Sequence, residues 1–137
     1  MAEPTTYTVR ANIKGVDQAP RKISIVAGLV RNRTVADAMV ILEHTPRRAA
    51  IAVKKAIQSA AANATNNHGL DSKTLKISTI SVTAGPRLKR SRPASRGRAL
   101  PFAKKSTHIL IEVSGLEKLI KRAIKKSDDK SPKEEEK

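Results

Sequence analysis

The chain has 137 residues and a formal net charge of +16, from 28 Lys and Arg against 12 Asp and Glu. That length predicts one compact domain, and the imbalance predicts a polyanionic partner, nucleic acid ahead of an anionic membrane surface. One Tyr, one Phe and no Trp exclude a set of base-stacking platforms, leaving phosphates and shape to be read; the lack of Cys excludes a disulfide scaffold and a Cys-based zinc site.

The opening MAEPTTYTVR has no apolar run behind a basic head, and no apolar run in the chain is long enough to span a bilayer, so a soluble, intracellular protein is expected. YTVRANIK then alternates. Tyr7, Val9, Ala11 and Ile13 share one face, and Thr8, Arg10, Asn12 and Lys14 share the other. This predicts a half-buried strand with a wet basic face, ended by a turn at Gly15 and Asp17.

Pro20 marks a helix start, and Ile23, Val26, Ala27 and Val30 follow at helical spacing with Leu29 beside them. Thr34 and Asp37 form a capping-box-like pair that opens a second, short helix with Ala38, Ile41 and Leu42 on its apolar face. Thr45-Pro46 predicts the next boundary, a cap residue with proline at the first helical position. A long Ala-rich helix follows. Ala49, Val53, Ala56, Ile57, Ala60 and Ala64 form its stripe, and Asn67, His68 and Gly69 stop it.

LKISTISVTAGP reads as a strand whose phase slips. Leu75 and Ile77 agree, but Ile80, Val82 and Ala84 are one residue out, which a β-bulge near Ser78-Thr79 reconciles. STHILIEV is its predicted partner, with Ile109, Ile111 and Val113 on one face and His108, Leu110 and Glu112 on the other. Between the two lies GPRLKRSRPASRGRALPFAKKS, which holds Pro86, Pro93 and Pro101 and no acid; acids are absent from Ser72 to Ile111. Flanked by strands, it reads as the outer part of a hairpin turning near Ala94 to Gly97. Arms counted from Leu75 and Val113 would reach roughly 60 Å at about 3.3 Å per residue, against a radius of gyration of about 13 Å for a domain of this size. Such a ribbon has to project, its prolines interrupt the ladder, and order is expected only within a polyanionic matrix.

After Gly115, Leu116, Leu119, Ile120, Ala123 and Ile124 recur at helical spacing. Residues 116–137 carry eight basic and six acidic residues, a net +2, so +14 belongs to residues 1–115. The predicted organisation is a single domain over 1–115 with a hairpin over about 78–110, an amphipathic helical extension over 116–127 and a disordered charged tail over 128–137.

His44, His68 and His108 have no metal-ligand spacing, so no metal is expected. Ser106, His108 and Asp71 supply triad residue types in an order and setting that match no nucleophile motif. There is no Gly-rich phosphate loop. No catalysis and no cofactor are expected.

The ordered series PRKISIVAGLVR, RRAAIAVKKAIQSAAANATNNHG, LKISTISVTAGP, LKRSRPASRGRA and KKSTHILIEV resembles the family of large-subunit ribosomal protein twenty-two, in its bacterial form. The resemblance implies an α+β fold, a small three-stranded antiparallel sheet packed on three helices, with a long protruding β-hairpin; the extra C-terminal helix lies beyond the usual family end. It implies a cytoplasmic ribosomal protein that binds large-subunit rRNA, touches neighbouring large-subunit proteins and supports subunit assembly. The globular part would sit near the peptide exit. The hairpin tip, Arg92, Pro93, Ala94, Ser95, Arg96, Gly97 and Arg98, would line the exit tunnel and meet the nascent peptide. No membrane and no homo-oligomer are implied. The chain departs from the family pattern at Ser24, Ala94 and Ser95.

The expected rRNA contacts of the hairpin are Arg87, Lys89, Arg90, Arg92, Arg96, Arg98, Lys104 and Lys105. Those of the domain are Arg10, Lys14, Arg21, Lys22, Arg31, Arg33, Lys54 and Lys55. Two other classes compete: a histone-like DNA-architectural protein using the ribbon in a minor groove, and a membrane-surface protein held by its C-terminal helix.

Overall fold

In the computed structural model, which describes residues 6–117, the alternating segment is strand β1, Thr6–Val16. Val9 and Ala11 are buried and Ile13 partly so, while Arg10 and Asn12 are exposed. The strand runs past the predicted turn. Gly15, at φ 74°, sits where the register slips between Ile13 and Val16, so it makes a bulge inside the strand, and the chain bends at Asp17.

Helix α1 is Pro20–Val30 and buries Ile23, Val26, Ala27 and Val30, while Leu29 faces outward. Helix α2 is Val35–Glu43, and the Thr34 hydroxyl caps it by accepting from the Asp37 amide at 3.2 Å. The long helix, α3, is Arg48–Asn66. It starts later than Thr45-Pro46 predicts. The Thr45 hydroxyl turns back and donates to the Ile41 carbonyl at 2.7 Å, closing α2. Pro46 therefore lies in the link, and Arg47 takes the cap position with no side-chain bond. Gly69, at φ 63°, follows the helix end.

Strands β2, Lys76–Pro93, and β3, Ala99–Leu116, complete an antiparallel sheet in the order β1-β3-β2. The class is α+β, a three-stranded antiparallel sheet packed on three helices, as the family resemblance implies. Ile77 pairs with Val113 and Thr79 with Glu112, so Ser78 is the extra residue of a bulge, and its hydroxyl donates to the Glu112 carbonyl at 3.0 Å. The phase slip read from the sequence is that bulge. The predicted extension over 116–127 begins as the end of β3 at Leu116, followed by an isolated bridge between Glu117 and Leu70. Its remainder, and the tail over 128–137, lie outside the described residues.

The core lies between one face of the sheet and the helices. Ile77, Ile109, Ile111 and Val113 meet Ile23, Val26, Val30, Val53 and Ile57, all essentially inaccessible. Ala56, Ala60 and Ala64 of α3 are fully buried in the same contact, and their small size brings the helix close to its neighbours. Ala60→Leu forces three extra heavy atoms into that packing. It is expected to destabilise the fold by about 1–3 kcal/mol, read as a lower urea midpoint by circular dichroism with an unchanged slope.

Candidate nucleic-acid interface

Register decides how the ribbon displays its charge. Strand β1 pairs only with β3 from Thr107 to Leu116, so beyond Thr107 the β2–β3 pair continues without a third strand. A second register shift falls between Ala84 and Arg87, at Gly85-Pro86. Pairing then runs unbroken from Arg87 opposite Lys105 to Pro93 opposite Ala99. The prolines do not interrupt the ladder as predicted. Pro86 is absorbed by the bulge, Pro101 stands opposite Ser91 within the continuous register, and Pro93 closes the last pair before the turn.

Because side chains alternate, one face of this outer ribbon carries Arg87, Lys89 and Lys105, with small or proline residues between them. The other carries Arg90, Arg92 and Lys104, together with Leu88, Leu100 and Phe102. Cations therefore project from both faces. No residue from Pro86 to Lys105 is buried. The large apolar side chains of the ribbon share one face, where the Arg92 guanidinium lies 4.7 Å from the centre of the Phe102 ring.

The chain reverses over residues 94–98. The Ala94 amide donates to the Arg98 carbonyl at 2.7 Å. Arg96 and Gly97 take φ 57° and 70°, a left-handed conformation that glycine adopts freely and arginine rarely. Arg96 and Arg98 are both exposed at this turn.

The predicted cations divide by what they already hold. Arg10 pairs with Glu112 at 2.8 Å, Lys54 with Glu43 at 2.6 Å and Lys104 with Asp17 at 2.9 Å. The Lys54 ammonium, by hydrogen bond and by charge, holds the Glu43 carboxyl below the usual carboxylate range, so that pair is intact at neutral pH. Pairs that solvent reaches in this way hold their partners weakly, and each cation can exchange its carboxylate for a phosphate. Arg31 donates to the Ile80 carbonyl, Arg33 to the Leu29 carbonyl and Arg90 to the Lys89 carbonyl, each keeping an uncompensated charge. Among the described residues, the side chains of Lys14, Arg21, Lys22, Lys55, Arg87, Lys89, Arg96, Arg98 and Lys105 have no ion-pair or hydrogen-bond partner.

The structure adds two cations that the sequence reading passed over. Arg47 and Arg48 are exposed at the start of α3, beside a cleft of about 430 Å³ that Lys54 also lines. The RR doublet after Pro46 was the signal for them.

The triad residue types do not converge. Ser106 donates to the Pro86 carbonyl at 2.7 Å, His108 accepts the Gly15 amide on Nδ1 at 3.0 Å, and Asp71 accepts the Lys73 amide in a turn at 3.2 Å. Among the described residues no three His, Asp or Glu side chains cluster as a metal would need, and no helix is long and apolar enough to cross a membrane.

A family model described as ribosomal protein L22p/L17e matches residues 11–114. The chain is 46% identical over 114 residues to the large ribosomal subunit protein uL22 of Pediococcus pentosaceus, covering 83% of this chain and 96% of that one. It is 41% identical over 123 residues to the protein of the same name from Metamycoplasma hominis, covering 90% and 94%. To that of Metamycoplasma arthritidis it is 45% identical over 104 residues, covering 76% of this chain and 50% of the longer relative.

Proposed function

The chain belongs to the ribosomal protein L22p/L17e family and is a structural, non-enzymatic constituent of the large ribosomal subunit, and from that premise we propose that its outer β2–β3 ribbon threads rRNA. The observation that carries this reading is the two-sided charge. A surface-bound strap needs cations on one face only; a ribbon enclosed by RNA needs them on both. Arg87, Lys89 and Lys105 leave one face and Arg90, Arg92 and Lys104 the other, with Arg96 and Arg98 at the turn.

In this reading the globular body sits near the peptide exit, and Lys14, Arg21, Lys22, Arg31, Arg33 and Lys55 meet phosphates around it. Arg10 and Lys54 join them by exchanging their carboxylates. The segment from Arg92 to Arg98 forms part of the tunnel wall, where it meets the nascent peptide. From Gly85 to Pro93 the ribbon spans eight residue steps, about 26 Å at 3.3 Å per residue, which suffices to carry the turn away from the body. Holding several RNA segments at once gives the protein its part in subunit assembly. The ribbon cations are the mechanism: each phosphate they neutralise releases counterions, and the bonds position backbone without reading bases.

Ultraviolet crosslinking of assembled large subunits, followed by mass spectrometry of the RNA-linked peptides, tests this. Adducts are expected on peptides from both 86–93 and 99–105. Adducts confined to the helices, with the ribbon peptides clean, would sink the threading.

A further inference from the structure

Where the ribbon leaves the body, a cleft of about 210 Å³ opens between the start of α1 and the paired strands. Its walls include Arg21 from α1, Arg87 from β2 and Lys105 from β3, with Gly85 and Ser106 beside them. Arg87 and Lys105 are directly opposed in the ladder, an arrangement that like charge makes unfavourable unless something lies between them. Among the described residues none of these three cations has an acidic partner. We propose that this root cleft is a phosphate seat, in which one phosphodiester of the RNA backbone is held by Arg21, Arg87 and Lys105. The proposal rests on the reading of the ribbon as an rRNA-binding element and adds a defined site to it.

Three features set this site apart from generic surface charge. The first is construction. The bulge at Gly85-Pro86 re-aims the strand so that Arg87 falls opposite Lys105. Glycine is needed there, because a Cβ on Gly85 would stand 2.6 Å from the Ser106 hydroxyl oxygen and 3.2 Å from the Ser106 carbonyl carbon. That hydroxyl is itself committed to the Pro86 carbonyl, so the bulge is locked.

The second is asymmetry. A further cleft at the root shares Lys105 and Ser106 with the first and adds Asp17, Leu88 and Lys104, and there Asp17 already pairs with Lys104 at 2.9 Å. That side holds a carboxylate and a cation already compensated by it, whereas no acid lines the side of Arg21, which an anion therefore prefers. The third is size. Sites for drug-sized ligands run to about 300–1,000 Å³, whereas this cleft, at about 210 Å³, is smaller and has room for a phosphate group. The Arg21 amide, in the first turn of α1, has no acceptor among the described residues and is free to donate. RNA is favoured over an acidic protein because the cleft is continuous with the cations that run out along the ribbon.

The test uses the full chain, isotopically labelled, titrated with inorganic phosphate against chloride at matched ionic strength. Saturable shifts are expected at the Arg21 and Gly85 amides. The double variant Arg87→Gln, Lys105→Gln is expected to weaken that binding about tenfold, since charge-assisted bonds to the anion are lost. Lys73→Gln with Lys76→Gln, which removes equal charge away from the cleft, should leave it within about twofold. A second arm replaces phosphate with a short oligoribonucleotide lacking terminal phosphates, and the same amides should move. A third uses an acidic peptide. Unsaturable or uniformly spread shifts, equal losses in both double variants, or a stronger response to the acidic peptide than to RNA would each overturn the seat. Incorporation of the unmodified chain into large subunits, measured separately, distinguishes the two failures. A silent cleft in a chain that still assembles refutes the seat alone, whereas a chain that does not enter subunits refutes the rRNA reading beneath it.

Discussion

Replacing Arg90, Arg92, Arg96 and Arg98 together with Gln is expected to flatten the salt dependence of RNA binding by roughly three units on a log–log plot. Each neutralised phosphate contributes a slope of about −0.7 to −0.9 through counterion release, and four cations are removed. All four side chains are exposed, and they occupy one ribbon face and the turn. None lies in the core, so the fold supplies no competing cause for the loss. Arg92 is the one with a second role. Its guanidinium covers the Phe102 ring, and Gln there exposes apolar surface without opening a cavity. The parent and the variant should therefore melt alike. Binding to an rRNA fragment, followed from low to moderate salt, gives the slopes. A slope unchanged in the variant would place the phosphate contacts on the body and remove the ribbon from the mechanism. The reciprocal expectation concerns Glu112. Glu112→Gln frees the exposed Arg10 from its 2.8 Å pair with the half-buried Glu112, and should strengthen binding slightly and only at low salt, because a pair with one solvated partner is worth little.

The parts of this fold that depend on local pattern were legible in the sequence. The alternation around Val9 and Ala11, the helical spacing of Ile23, Val26, Ala27 and Val30, and the phase slip at Ser78 each report a face buried by its own element. What was not legible depends on the direction of a single side chain or on register. Thr45-Pro46 has the composition of a helix start, yet the Thr45 hydroxyl bonds backward to Ile41 and the helix begins at Arg48. Gly15 has the composition of a turn, yet its positive φ is used for a bulge in a strand that continues. The same holds for the interface. The positions of the cations were legible, but their division into two ribbon faces required knowing that Arg87 stands opposite Lys105. The ion pairs of Arg10 and Lys104 join residues far apart in the chain, and that of Lys54 crosses from α3 to Glu43 of α2, so no pattern within one element reports them. The bulge at Gly85-Pro86, which builds the root cleft, left no phase signal, because the hydrophobic alternation that reveals Ser78 has already ended there.

Replacing residues 87–104 with a short turn is expected to leave the body folded while altering what the ribosome does with difficult nascent peptides. The structural half of this expectation follows from burial. Every buried residue of the sheet lies in the inner halves of the strands, at Ile80 or earlier in β2 and at Thr107 or later in β3. A two-stranded ribbon contributes little stability of its own in water, and this one carries unshielded like charge. The melting temperature of the truncated chain should therefore fall within a few degrees of the parent. Relief of repulsion such as that between Arg87 and Lys105 offsets what the lost ladder costs. The functional half rests on the proposed tunnel placement. Lys14, Arg21, Lys22, Arg31, Arg33 and Lys55 remain, so the truncated chain should still enter large subunits, more weakly and with greater sensitivity to salt during reconstitution. What disappears is the wall segment from Arg92 to Arg98, five of whose seven residues form the reversal over 94–98 that sets Arg96 and Gly97 in the left-handed conformation. Peptides that arrest by pressing on that wall should then pass, while bulk translation continues. Circular dichroism, subunit incorporation and a stalling assay read the three steps in order. A truncated chain that does not fold would make the ribbon part of the core, against the burial pattern. Subunits that form with it and stall normally on every arrest peptide tried would take the tip away from the tunnel.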